Sequence, residues 1–356
     1  MPGIPQKSIA TPAASGGWLG HTWRLVRWNV RLARRRLMSK ILLSILLAGF
    51  ALLIGALLLL YLFISSAVTS SQLSSPAPTP ISTVQQGEGT PVPITPPPGA
   101  TGPSQAEIQQ EKQQFASLLT FPEDFVLVGG YTTFLGTILI CILAGALAGN
   151  EYSFGTQRLA LSYGVSRAQV LAGQVGALAV LALSVAGGML ILGVLVGLTF
   201  GPLLGGVIPT IPPAGLLQLI GFWLVVSLYL FAYALIALLL ATLGRSTVAG
   251  IAGSLGYLLF ESIGLPIIIA VAALLSGFSS TDFTGLQAFF LGPNLSGLLS
   301  GVSQSPLDLA AGGTSSSGGT IVNPISGLQG LLVLLLYCTA FIGLSYLVLR
   351  KRDVTT

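Results

Sequence analysis

Residues 41–64 read ILLSILLAGFALLIGALLLLYLFI, a stretch without a single charge or proline. A helix of this length extends about 36 Å at 1.5 Å per residue, which exceeds the roughly 30 Å hydrocarbon core of a bilayer. An amphipathic helix of a soluble domain would carry a polar stripe every third or fourth residue, and this stretch has none. Its natural solvent is lipid. The run is too long for the apolar region of a cleaved signal peptide and some forty residues precede it, so it is expected to be an uncleaved anchor.

Five further runs of the same kind follow, at Phe125–Ala148, Val170–Leu198, Leu216–Leu243, Val248–Leu275 and Leu328–Leu349. Across all 356 residues, 53% are hydrophobic and 7% charged, far below the roughly one quarter charged that a soluble domain carries. The fold class expected is an all-α integral membrane protein of six spans, covering 41–349 between a terminal segment 1–40 and a short tail 350–356.

Charge sets the expected orientation. Eight of the fifteen Lys and Arg precede the first run, three close the chain at Arg350, Lys351 and Arg352, and Arg158, Arg167 and Arg245 fall in loops on the same side. Lys112 alone falls on the other side, together with Glu88, Glu107, Glu111, Glu123, Asp124, Asp282 and Asp308. By the positive-inside rule both termini are expected in the cytoplasm, in the cell (inner) membrane of the source. The net charge of +5 is therefore topology-setting charge beside a bilayer, and no nucleic-acid partner is expected.

The loops are unequal. The external loop 65–122 opens with a Ser/Thr/Pro tract unsuited to packing, and within it Ser104–Leu119 has the pattern of a short helix. The external loop 276–327 is rich in Gly and Ser but contains the apolar stretch Leu286–Leu299. That stretch is too short to span and fits a re-entrant or interfacial segment. Cys141 and Cys338 lie inside apolar runs and His21 is the one histidine, so neither a disulfide framework nor a metal site is expected. A G-x-x-x-x-G-K-[ST] motif occurs nowhere, which excludes nucleotide binding of the P-loop kind by this chain.

Over His21–Lys40, Trp23, Val26, Val30, Ala33 and Leu37 recur at helical spacing, flanked by Arg24, Arg27, Arg31, Arg34 and Arg35. A basic amphipathic helix in the inner headgroup layer is expected, with its arginines on anionic lipid. Leu25, Trp28 and Leu32 form a second apolar strip, left for a partner protein or the transmembrane bundle.

The loop between the second and third runs begins Glu151-Tyr152-Ser153-Phe154-Gly155-Thr156-Gln157-Arg158. Ser153 or Thr156 suits the start of a short helix, Gly164 its left-handed end, and Ser166 with Gln169 a capping box for the third span. A short crosswise helix or a well-capped turn both satisfy this pattern.

This string, continued through Gly164-Val165-Ser166-Arg167 and Ala172-Gly173-Gln174, resembles the permeases of the ABC-2 type transporter family. Glu151, Gly155, Thr156, Arg158, Ser166 and Arg167 match the family's E-x-x-x-G-T-[LI]-R and P-V-S-R elements. Gln157 and Gly164 depart from these, and Gln174 stands where the G-K element that follows them has lysine. A Pro293-Asn294 element before the last span extends the likeness. The resemblance implies that the 151–167 loop is a coupling helix docking on a separate ATPase subunit, two copies of which serve a homo- or heterodimer of permeases. ATP and Mg would sit on that partner, with no cofactor on this chain. It also implies export without catalysis by the chain itself.

Glu261 is the one acidic residue well inside a run, near Gly264 and Pro266. An intramembrane carboxyl is a functional candidate by default. It suits either a gradient-driven secondary transporter, the alternative function, or hydrogen bonding that stabilises a break in the fifth helix. Gly145/Gly149 and Gly193/Gly197 have the spacing for close helix contact and are expected to serve general packing.

Overall fold

The computed structural model describes residues 18–74, 110, 124–153, 164–203, 213–276, 289–303 and 327–351. All regular structure among them is helical. In chain order the elements are α1 (Trp18–Arg35), α2 (Leu37–Ser74), α3 (Asp124–Tyr131), α4 (Thr137–Ser153), α5 (Arg167–Leu203), α6 (Pro213–Gly244), α7 (Thr247–Leu259), α8 (Leu265–Ser276), α9 (Leu291–Ser303) and α10 (Gly327–Lys351). Two π-helical turns, Thr132–Gly136 and Phe260–Gly264, join α3 to α4 and α7 to α8.

Among the described residues, six helical stretches are long and apolar enough to cross a membrane: Leu37–Ser66, Leu127–Tyr152, Arg167–Leu203, Leu216–Gly244, Thr247–Leu275 and Gly327–Lys351. Each contains or closely matches one apolar run of the sequence. Two helices continue past the end of their run. Helix α2 proceeds through Ser65 and Ser66, whose hydroxyls donate to the carbonyls of Leu62 and Phe63 at 2.8 Å. Back-bonding of this kind lets polar residues stay helical. Thr199, donating to the Leu195 carbonyl, plays the same part near the end of α5.

The chain divides into two units. The first comprises residues 1–43, 132–188 and 211–356. Its centre is α6, in which Tyr233, Leu235 and Leu238 are fully enclosed, and α4 and α7 pack on it and on each other. The α4–α7 seam is built from glycine. A Cβ added at Gly149 would lie 2.3 Å from Thr247 Cα, and one at Gly145 would lie 2.8 Å from the Ile251 nitrogen. The Gly145/Gly149 pair is thus an intramolecular seam, where close backbone approach replaces the hydrophobic drive that lipid cannot supply. Helices α9 and α10 pack together and against α6.

The second unit comprises residues 44–131 and 189–210. Within it the Tyr131 hydroxyl donates to the Leu46 carbonyl at 2.8 Å and its ring meets Phe50 at 5.4 Å. Val128 packs onto Gly193, where a Cβ would meet Val128 Cγ2 at 2.8 Å.

The turn from α6 to α7 takes two residues, Arg245 and Ser246. Gly244 ends α6, Arg245 takes a left-handed φ of 50°, and Ser246 caps α7 by accepting from the Ala249 N–H at 3.0 Å. Among the described residues Arg245 is the one non-glycine with positive φ.

Candidate functional site

Two polar constellations lie in the first unit, one at the ends of the loop between the second and third spans, the other at the break in the fifth.

At the loop, the chain leaves α4 through Glu151 and returns at Gly164, whose φ is +80°, the left-handed conformation expected of it. The capping box forms as the sequence implies. Gln169 N–H donates to Ser166 Oγ at 3.3 Å, and Ser166 N–H donates to Gln169 Oε1 at 3.0 Å. Arg167, the first residue of α5, reaches the far end of α10. Its Nη1 donates to the Leu349 carbonyl at 2.7 Å and to that of Arg350 at 3.4 Å. A guanidinium on the last carbonyls of a helix satisfies acceptors that have no intrahelical donor and complements the negative end of the helix dipole.

Behind the capping box, Gln174 is 0% exposed and its Nε2 donates to Glu151 Oε2 at 2.5 Å. Arg36 points into the same region and donates to the Ala146 carbonyl at 3.5 Å. Burial lowers the Arg36 pKa from the ordinary guanidinium value, while the Glu151 carboxylate pulls it back up. Glu151, Arg36 and Gln174 therefore join α1–α2, α4 and α5 at one point. Sequence reasoning singled out Glu151 and not the other two as site residues. A glutamine at helical register inside an apolar run was the signal available for Gln174. Gly155, Thr156, Gln157 and Arg158 lie outside the described residues, as does the Ser104–Leu119 segment apart from residue 110.

The N-terminal helix corrects the expected His21–Lys40. It spans Trp18–Arg35 and stops at a bend at Arg36, where the Arg36 N–H still bonds the carbonyls of Leu32 and Ala33. Leu37 belongs to the membrane helix α2, not to the amphipathic stripe. The stripe is also divided between environments. Val26 and Ala33 are buried, and a Cβ at Gly176 of α5 would lie 2.6 Å from Val26 Cγ2. Leu25 packs against Gly173, where a Cβ would meet its Cβ at 2.8 Å. One edge of α1 thus sits on the third span, and Leu25 of the second strip contacts the bundle. Trp23 (56%) and Trp28 (63%) stay exposed, as do Arg24, Arg27, Arg31, Arg34 and Arg35. The Arg27 guanidinium lies 5.9 Å from the Trp23 ring centroid, within cation–π range.

At the second constellation, Glu261 is only 7% exposed and lies in the π-turn that breaks the fifth span. Its Oε2 accepts from the Tyr233 hydroxyl and its Oε1 from the Gly292 N–H. The Tyr233 ring meets Tyr229 edge-on at 4.7 Å, with Tyr257 at 6.0 Å. Both carboxyl oxygens are thus engaged by protein donors. Tyr233 and Gly292 were not singled out from sequence, because nothing local links positions 28 and 31 residues away. Among the described residues no group of His, Cys, Asp and Glu is placed to hold a metal.

The family model for "ABC-2 family transporter protein" matches residues 99–354, which is most of the chain and five of its six spans. The chain belongs to the ABC-2 transporter family. A comparison with curated proteins finds no match. Membership makes the chain a multi-pass membrane protein and the membrane component of an ABC transporter, a transport part and not an enzyme in itself. In this ABC-2 protein the anchored loop ends, Glu151 and Ser166-Arg167, fall within the matched segment, as does Glu261.

Proposed function

We propose that this chain is the permease subunit of an exporter whose ATP is hydrolysed on a separate ATPase subunit, and that the loop 151–167 is where that subunit docks. Family membership over 99–354 supports the transport assignment. The observation that carries the docking assignment is the bracing of both loop ends. Gln174 holds Glu151 on the entering side, and Arg167 ties the returning side to the end of α10. A loop so braced passes displacement on to three helices instead of absorbing it. ATP and Mg belong to the partner, two copies of which would serve a pair of permease chains. The termini would be cytoplasmic, as the fourteen-to-one distribution of Lys and Arg favours. The exposed arginines of α1 then face inner-leaflet anionic lipid.

Gradient-driven transport through Glu261 draws no support from the geometry. A carboxylate serving ions needs an oxygen free to change partners, and both oxygens of Glu261 are engaged.

The test is co-purification from membranes with a tagged ATPase encoded beside this chain, comparing the unaltered protein with Arg158→Glu. Loss of the ATPase from a variant that still inserts and elutes as a folded protein is the expected result. Equal recovery of the ATPase with both would remove the loop from the interface. Failure to recover any ATPase with the unaltered chain would remove the docking assignment altogether.

A further inference from the structure

Glu261 lies fourteen residues from either end of the span Thr247–Leu275, at its midpoint. Helix α9 meets it there with its N-terminus. The course of α9 can be read from its contacts with α10. The Phe289 carbonyl accepts from the Tyr337 hydroxyl at 2.5 Å, ten residues into the sixth span. Farther along α9, Asn294 and Leu298 lie on Gly330, near the start of that span; a Cβ there would meet the Asn294 carbonyl oxygen at 2.5 Å. Helix α9 therefore starts deep, climbs antiparallel to α10, and is re-entrant. Its 13 residues are too few to span.

Such a helix has a specific difficulty. Its first N–H groups have no intrahelical acceptor, and at mid-bilayer depth water does not supply one. The positive end of its dipole adds to the cost. The first turn, Leu291-Gly292-Pro293-Asn294, reduces the number of orphan donors, since Pro293 has none. Glu261 takes the Gly292 donor directly. Gly292 itself permits the approach, because a Cβ there would stand 3.2 Å from Oε1. The π-turn turns Glu261 inward while its neighbours Phe260, Ser262 and Ile263 remain exposed. Tyr233, from the enclosed centre of α6, fixes the other oxygen.

We infer that Glu261 is a positioning residue whose carboxylate, held by Tyr233, is the N-terminal cap of the re-entrant helix α9 and fastens that helix to the break in the fifth span. The fastening ties α6, the break between α7 and α8, and α9 together at one carboxyl. Its use in transport rests on the reading above, whereas the fastening of α9 to Glu261 does not, and the test addresses that fastening alone.

The experiment uses the full chain in native membranes, with Cys141 and Cys338 replaced by alanine and Leu298→Cys as reporter. A membrane-impermeant maleimide measures reporter exposure. Leu298 is buried against Gly330. With Glu261 intact, labelling is slow. With Glu261→Leu, a residue the bilayer accepts more readily, labelling is at least about tenfold faster, the order of change expected when a buried N–H loses its acceptor. Glu261→Gln keeps an acceptor for the Gly292 N–H and stays within about threefold of the unaltered protein. Tyr233→Phe gives an intermediate rate. A second reporter, Leu178→Cys in α5, fully buried in the parent, stays protected throughout. Equal labelling of Leu298→Cys with Glu261, Glu261→Leu and Tyr233→Phe overturns the inference. So does simultaneous exposure of the Leu178→Cys reporter, which would mean that the whole bundle had loosened. Neither result depends on whether an ATPase binds.

Discussion

Gly149→Ala adds one methyl group to the α4–α7 seam, and the structure sets what that methyl meets. The new carbon would stand 2.3 Å from Thr247 Cα, 2.4 Å from its nitrogen and 2.6 Å from its Cγ2. The first two are backbone atoms in the opening turn of α7, held by the Ser246 cap, so no rotamer change relieves the clash. Ordinary carbon contacts lie at about 3.5–4.0 Å, so the helices must part by roughly 1.2 Å or more. A gap of that size forfeits about half of the dispersion attraction of the atoms lining the seam. Overpacking of this kind costs about 1–3 kcal/mol, and a backbone clash belongs at the upper end. Alanine recovers up to about 1 kcal/mol of helix propensity over glycine. The net loss is therefore about 2 kcal/mol. Gly256→Ala, in the facing helix α7, is the control, since a Cβ there meets nothing within 4 Å. It gains the propensity without the clash, so the two variants should differ by about 3 kcal/mol. At roughly 2–4 °C per kcal/mol this amounts to some 6–12 °C in unfolding midpoint. The assay is loss of the monodisperse peak on size exclusion after heating in detergent. Midpoints for Gly149→Ala and Gly256→Ala within 1 °C of each other would refute the close-approach account.

Three further outcomes follow from the turns and caps. Arg167→Ala removes the donor to Leu349 and Arg350, and faster hydrogen exchange is expected over the last turn of α10 with little change in its middle; unchanged exchange there would show that the contact carries no weight. Ser166→Ala breaks half of the capping box and should cost about 1 kcal/mol, seen as faster exchange at the first amides of α5 while those beyond Gly176 keep their protection. Arg245→Gly releases a left-handed conformation that costs an ordinary residue about 1–2 kcal/mol, and a raised unfolding midpoint is expected; a lowered one would mean that the arginine side chain contributes more than its backbone loses.

The six spans were legible because a bilayer leaves the chain little choice. Every main-chain group must be satisfied within the segment, so length and lack of charge suffice to define a helix. Local chemistry was legible for the same reason of short range: Ser166 with Gln169 and the glycine at 164 act within a few residues of themselves. Helix ends were less so. Ser65, Ser66 and Thr199 look like loop residues by composition, yet each hydroxyl bonds a carbonyl of the preceding turn. The stripe on α1 has helical spacing, but that spacing did not say that Leu37 would belong to the next helix or that Leu25 and Val26 would meet Gly173 and Gly176 of the third span. The two glycine pairs had identical spacing and different fates, Gly145/Gly149 facing α7 and Gly193 facing Val128. At Glu261 the sequence left open a gradient-driven site or a hydrogen-bonded carboxyl at a break in the helix. The partners come from two other elements, and a contact across such separations leaves no local trace.

The π-turns bear on how this chain should be compared with others. Each holds one residue more per turn than an α-helix would, so a relative with a plain α-helix at 132–136 or 260–264 would be one residue shorter there. A gap inside an apolar membrane segment is ordinarily discarded as an alignment error. At these two places a single-residue gap is the physically expected difference. Closing it by force would rotate every following residue by about 100° and assign lipid-facing positions to the interior.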